Sequence, residues 1–113
     1  MRLCKIVFLL VCSGFYTKAQ TGNSPQATLN ILFVGNSLTY TNNLPEIVKE
    51  LAKQDGLDIK YSSLSLPDHS LEDHWNAGKL QKQLDKEKYD FLIAQQGPSA
   101  LPESQVLLLE YTK

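Results

Sequence analysis

Three short polar segments hold the residues able to do chemistry: Gly35-Asn36-Ser37, Pro67-Asp68-His69-Ser70 and Gln95-Gln96-Gly97-Pro98-Ser99. Each follows an apolar run. Acyl transfer asks for a nucleophile, hydrogen-bond donors for the oxyanion, and a general base held by an orienting group. Ser37 is the candidate nucleophile. The run Ile31-Leu32-Phe33-Val34 stops at Gly35, which permits a sharp backbone turn beside the serine. A helix-start signal, Asn42-Asn43-Leu44-Pro45, follows. The Ser37 backbone N–H is one candidate oxyanion donor. Backbone and amide groups of the second and third segments are the others. A Gly-Asn-Ser turn also occurs for turn chemistry alone, and the G-x-S-x-G nucleophile elbow is absent.

The two histidines, His69 and His74, both fall in the second segment and the stretch after it. His69 is the nearer to the predicted cleft and is placed to contact substrate. Nothing in the sequence fixes its tautomer, which weighs against it as the base. His74, in Glu72-Asp73-His74-Trp75, reads as a helix-surface or packing residue. Trp75 is expected to pack under the loop, with sugar stacking as the minority reading. Asp68, His69, Asp73 and His74 are neighbours in sequence but show no metal-ligand spacing, so no metal is expected. The first turn after a strand has one glycine and no G-x-G-x-x-G run, so no dinucleotide cofactor is expected either.

Alternating strands and helices must position these segments. Leu29 to Val34 reads as a first strand, apolar as befits one covered on both faces. Pro45 to Asp55 reads as a helix with Leu44, Ile47, Val48 and Leu51 on its inward face, stopped by Gly56. Leu57 to Leu64 is the second strand. Ser70 caps a helix from Leu71, with Asp73 resembling the acid of a capping box. Gly78 interrupts it, and Lys79 to Glu87 continues with Leu80 and Leu84 inward. Tyr89 to Ala94 is the third strand, and Leu101 to Tyr111 a third helical region with Pro102 in its first turn. The β-α-β-α-β-α order predicts a parallel sheet with helices on both faces. The three polar segments then meet at the carboxyl ends of the strands, where such sheets bind ligands.

Composition narrows the function classes. Arg2 and Lys5, then the apolar stretch Ile6 to Val11, then Thr17-Lys18-Ala19 read as a secretory signal peptide over residues 1–19. A lipoprotein signal through Cys12 is the weaker alternative. Residues 20–28 form a polar leader, with Gly22 and Pro25. Both cysteines, Cys4 and Cys12, fall in the removed segment, so the exported part has neither disulfide nor thiolate chemistry. Removing it leaves eight basic residues against twelve acidic ones, a net charge of about −4, and no arginine. That argues against nucleic acid, and no second apolar stretch approaches membrane length.

The stretches GNSLT, HSLEDHW and YDFLIAQQGPSALPES together resemble the SGNH hydrolase superfamily, the GDSL esterases and lipases. The nearest variant is the secreted bacterial type with Asn before the serine. The resemblance covers nearly all of residues 29–111 and implies a flavodoxin-like α/β/α sandwich that hydrolyses acyl esters, often acetyl groups on carbohydrates. By position it makes Ser37 the nucleophile. It puts Asp68 at a glycine that donates its N–H to the oxyanion. Gly97 then stands before the place of an Asn donor, which Ser99 occupies, with Gln95 and Gln96 as further amides. The family's Asp-x-x-His does not occur in residues 1–113. Residues 29–113 are therefore expected to be the N-terminal part of such a domain, truncated after about three βα units. General-base assistance is typically worth about 10² to 10⁴ in rate, so little hydrolase activity is expected of this chain. Two other readings fit the same residues, a catalytically inactive remnant and a carbohydrate-binding flavodoxin-like module.

Overall fold

The computed structural model describes residues 27–97 and 101–113. The signal peptide, nearly all of the leader and Ser99 lie outside the described residues. The order is β1 (Thr28–Gly35), α1 (Ser37–Tyr40), α2 (Leu44–Gln54), β2 (Asp58–Ser65), α3 (Leu71–Asn76), α4 (Lys79–Lys86), β3 (Phe91–Ala94) and α5 (Pro102–Tyr111). The three strands make one parallel sheet in the order β2-β1-β3. This is an α/β architecture compatible with a flavodoxin-like α/β/α fold.

The central strand explains its own sequence. β1 pairs with both neighbours, so Ile31, Leu32, Phe33 and Val34 are all buried. Successive side chains point to opposite faces. Ile31 and Phe33 join Ile59 on one face, against Val48 and Ala52 of α2. Leu32 and Val34 join Leu71 of α3 and Leu80 of α4 on the other, with Tyr111 of α5 alongside. Helices thus cover both faces, as the element order predicts. The ring of Tyr61 meets Phe33 edge-on at 6.0 Å between centroids, a favoured aromatic geometry.

One short helix joins the expected elements and three local expectations are corrected. Residues 37–40 are helical, because Asn36 caps them: its Oδ1 accepts the Leu38 N–H at 3.1 Å. The buried edge of α2 is Pro45, Val48 and Ala52, whereas Leu44, Ile47 and Leu51 are exposed. α2 packs chiefly on β2, a strand at the sheet edge, which is too narrow to take the whole apolar stripe. Leu84 is exposed for a similar reason: α4 seats Leu80 on the core, and Leu84 reaches only the rim beside Leu92. Trp75 is 48% exposed and does not lie under the loop. Its helix turns His74 inward, and Trp75 lies instead at the rim of a pocket it shares with Leu71, Leu80 and Tyr111.

Candidate functional site

The three segments after the strands converge, and Asn36 binds them together. Its backbone N–H donates to Gln95 Oε1 at 3.0 Å, and its Nδ2 donates to the His69 carbonyl at 3.2 Å. The third segment thereby grips the first, and the first grips the second. Gln95 Oε1 also accepts from Thr39 Oγ1 at 3.0 Å. Gln96 Oε1 accepts the Leu71 N–H at 2.8 Å, tying the third segment to the first turn of α3.

Gly35 is required here by space. A Cβ on it would stand 2.7 Å from Gln95 Oε1 and would collide with Thr39 Oγ1 as well. Its backbone is not left-handed; among described residues the glycines with positive φ are Gly56 and Gly78. The expected sharp turn at Gly35 is therefore a close approach of the third segment to the end of β1.

α3 is fixed in turn by its capping box. Ser70 Oγ accepts the Asp73 N–H at 3.1 Å, and Asp73 Oδ2 accepts the Ser70 N–H at 2.8 Å. Hydrogen bonds from the Ser70 hydroxyl and backbone hold the Asp73 carboxyl below its ordinary pKa, with a smaller contribution from the nearby histidines. This helix carries His74 inward, 1% exposed, where Nε2 donates to the Gly35 carbonyl at 2.7 Å. His74 is thus the packing residue expected of it, with one added duty: it holds the last residue of β1 just ahead of Asn36 and Ser37.

Around this brace lies a cleft of about 330 Å³, lined by Asn36, Ser37, Leu38, Asp68, His69, Ser70 and Gly97. Ser37 is half-buried as the first residue of α1. Its Oγ meets no hydrogen-bond partner among the described residues. Asp68 holds φ 53°, the left-handed region that favours glycine. Asp tolerates that region better than most residues, so the position assigned to a family glycine does have a glycine-like backbone. Its carboxylate remains an exposed negative group beside the cleft.

His69 is better organised than its sequence suggests. Nδ1 lies 2.8 Å from the Pro67 carbonyl. A carbonyl oxygen only accepts, so Nδ1 carries the proton and the neutral ring keeps its lone pair on Nε2. The ring also rests against that of His74, centroids 5.1 Å apart.

Of the residues singled out from sequence, Ser37, Asp68, His69 and Gly97 line one cleft. Gln95 does not line it; its oxygen is spent on Asn36 and Thr39, and its Nε2 is buried without a partner among the described residues. Gln96 is likewise a brace, buried at the α3 junction. Sequence reasoning missed Asn36 as the common anchor, Thr39 as a Gln95 partner, and the link from His74 to the strand end. The available signal was polar residues among apolar ones at the strand end, but their partners lie 33 to 59 residues away. Among the described residues, no group of three or more His, Cys, Asp or Glu is placed to hold a metal ion. No helix of the described residues is long and apolar enough to cross a membrane. Compared with known proteins, the chain matches no family model, no curated protein and no solved structure.

Proposed function

We propose that this chain is a serine ester hydrolase of SGNH type, acting on short acyl esters, acetyl esters foremost, of small molecules or carbohydrates. Residues 1–19 would direct its export. The observation that carries the reading is Ser37 itself: a hydroxyl with no hydrogen-bond partner among the described residues, held on a braced strand end and lining a cleft shared with Asp68, His69 and Gly97. A cleft of about 330 Å³ has room for a small acyl ester.

In this reading Ser37 Oγ attacks the acyl carbon and its proton passes to a base. The oxyanion takes hydrogen bonds from the N–H groups of Ser37 and Asp68, with Gly97 lining the same cleft. The alcohol leaves with a proton, and water then releases the acid from the acyl-serine. Preorganised donors of this kind are worth about 10² to 10³ each in rate. The Asp68 carboxylate opposes the developing charge unless it points to solvent, and its exposure allows that.

The same carboxylate favours one second reading, a cleft that binds carbohydrate hydroxyls without cleaving an ester. The test is covalent labelling with a fluorophosphonate, located by peptide mapping, together with release of acetate from acetylated sugars. Label on Ser37, absent in Ser37→Ala, is the expected result. Binding of an acetylated sugar with no label and no acetate would favour the second reading and overturn the first.

A further inference from the structure

The cleft beside Ser37 has an uneven charge. Asp68 supplies the one carboxylate among the described residues that line it, and no lysine or arginine lines it. We propose that the Asp68 carboxylate makes this cleft select esters that carry a cationic group, an alkylammonium ester ahead of its neutral counterpart. The inference rests on the ester-hydrolase reading of Ser37 and names the substrate class of that same site.

Four observations carry it. Asp68 stands near the serine by a direct link. It precedes His69, whose carbonyl accepts Asn36 Nδ2 at 3.2 Å, and Asn36 precedes Ser37. One hydrogen bond therefore joins the neighbours of the two residues. Second, Asp68 is held in place. The carbonyls of Pro67 and His69 on its two sides are both engaged, the first by His69 Nδ1 at 2.8 Å. Its own backbone sits at φ 53°. Third, its charge is not cancelled. Asp68 is exposed, and the ion pairs among the described residues join Lys49 to Glu46 and Lys60 to Glu87 instead. The other carboxylate at this end, Asp73, accepts from the Ser70 N–H and hydroxyl at 2.8 and 2.6 Å and adds negative potential of its own. Fourth, Leu38 lines the same cleft and is 67% exposed. Its side chain offers apolar surface to the carbon shell of an alkylammonium group.

The size of the effect follows from the charges. Two unit charges about 4 Å apart in water attract by enough to change an equilibrium constant about fivefold. The attraction is screened as salt is added. A cationic group on the alcohol side also offsets the carboxylate that would otherwise oppose the oxyanion.

Acetylcholine and 3,3-dimethylbutyl acetate share a shape and differ by one charge. Binding of each is followed in the full chain carrying Ser37→Ala, which leaves the ester intact, by the NMR shifts of the Leu38 and Gly97 amides. The titrations are run at about pH 8, above the ordinary histidine range. Acetate release is measured in the native chain beside them. Acetylcholine is expected to bind about fivefold more tightly at low salt, with the ratio falling toward one in about 1 M NaCl. Asp68→Asn removes the charge, and Asn accepts a left-handed backbone as Asp does; the ratio is expected to fall to about one there as well. Equal binding of the two esters, a preference that survives Asp68→Asn, or binding of neither would overturn the selection whether or not acetate is released. A charge preference lost in Asp68→Asn, with no acetate released from either ester and no fluorophosphonate label on Ser37 of the native chain, would overturn the hydrolase reading and leave the selection standing.

Discussion

Gly35→Ala tests the packing on which the whole site rests. The added Cβ would arrive 2.7 Å from Gln95 Oε1, 3.2 Å from Gln95 Cβ and in collision with Thr39 Oγ1. β1 is paired on both sides and cannot retreat, so Gln95 has to move. Overpacking of this kind costs about 1–3 kcal/mol. Displacing Gln95 also removes the acceptor for the Asn36 N–H, in a residue 8% exposed, which adds about 1–3 kcal/mol. The sum is about 2–6 kcal/mol. At roughly 4–8 °C per kcal/mol for a domain of this size, Tm falls by about 10 °C or more. Thermal and urea unfolding followed by circular dichroism measures it. A double-mutant cycle sharpens the test. In a Gln95→Ala background the clash with Oε1 and the Asn36 bond are already gone while Thr39 Oγ1 still obstructs, so Gly35→Ala is expected to cost about 1 kcal/mol less there. A Gly35→Ala variant within about 0.5 kcal/mol of the native chain, or full additivity in the cycle, would refute the reasoning.

Other expectations follow from single contacts. Gln96→Ala leaves the Leu71 N–H without its acceptor and is expected to lower stability by about 1–3 kcal/mol in urea unfolding. Ser70→Ala removes the N-cap of α3 and is expected to cost about 1 kcal/mol, with a parallel loss of amide-exchange protection in residues 71–74. Asp73 has a carboxyl held below its ordinary value; a depressed acid stabilises the fold above its unfolded pKa and loses that contribution as pH falls through its folded pKa. The native chain is therefore expected to lose stability more steeply below about pH 4 than Asp73→Asn does, as acid titration of unfolding will measure. Asp68→Gly relieves a left-handed backbone, whereas Asp68→Val is expected to cost about 1–2 kcal/mol there. By removing a carboxylate from the cleft, Asp68→Gly is also expected to raise the acylation rate of Ser37, read as p-nitrophenol release.

The element order was legible because local signals agreed with the global fold. The unbroken apolar run in β1 announced a strand buried on both faces. Ser70 and Asp73 announced the capping box, and Gly56 and Gly78 take the left-handed conformation at helix ends. Those signals act over a few residues, so a sequence shows them directly. α1 escaped notice because four residues are too few for periodicity, and only the Asn36 cap betrays it. The inward face of α2 was misplaced because apolar spacing fixes a stripe, while the width of the sheet beneath selects which edge of it is covered.

The site divides along the same line. Sequence alone determined that Ser37, Asp68, His69 and Gly97 follow strands of a parallel sheet, and so belong to one end of it. Strand direction in a βαβ chain leaves little choice. Tertiary structure decided their states: that Gln95 braces the cleft instead of lining it, that His74 holds the strand end, and that His69 carries its proton on Nδ1. Each of these is settled by a hydrogen bond a few ångströms long. Whether a polar side chain becomes a brace, a donor or a base depends on which partner it meets. For Gln95 and His74 that partner stands dozens of residues away, and for His69 a neighbouring carbonyl must be turned toward the ring. Only the folded chain brings them together.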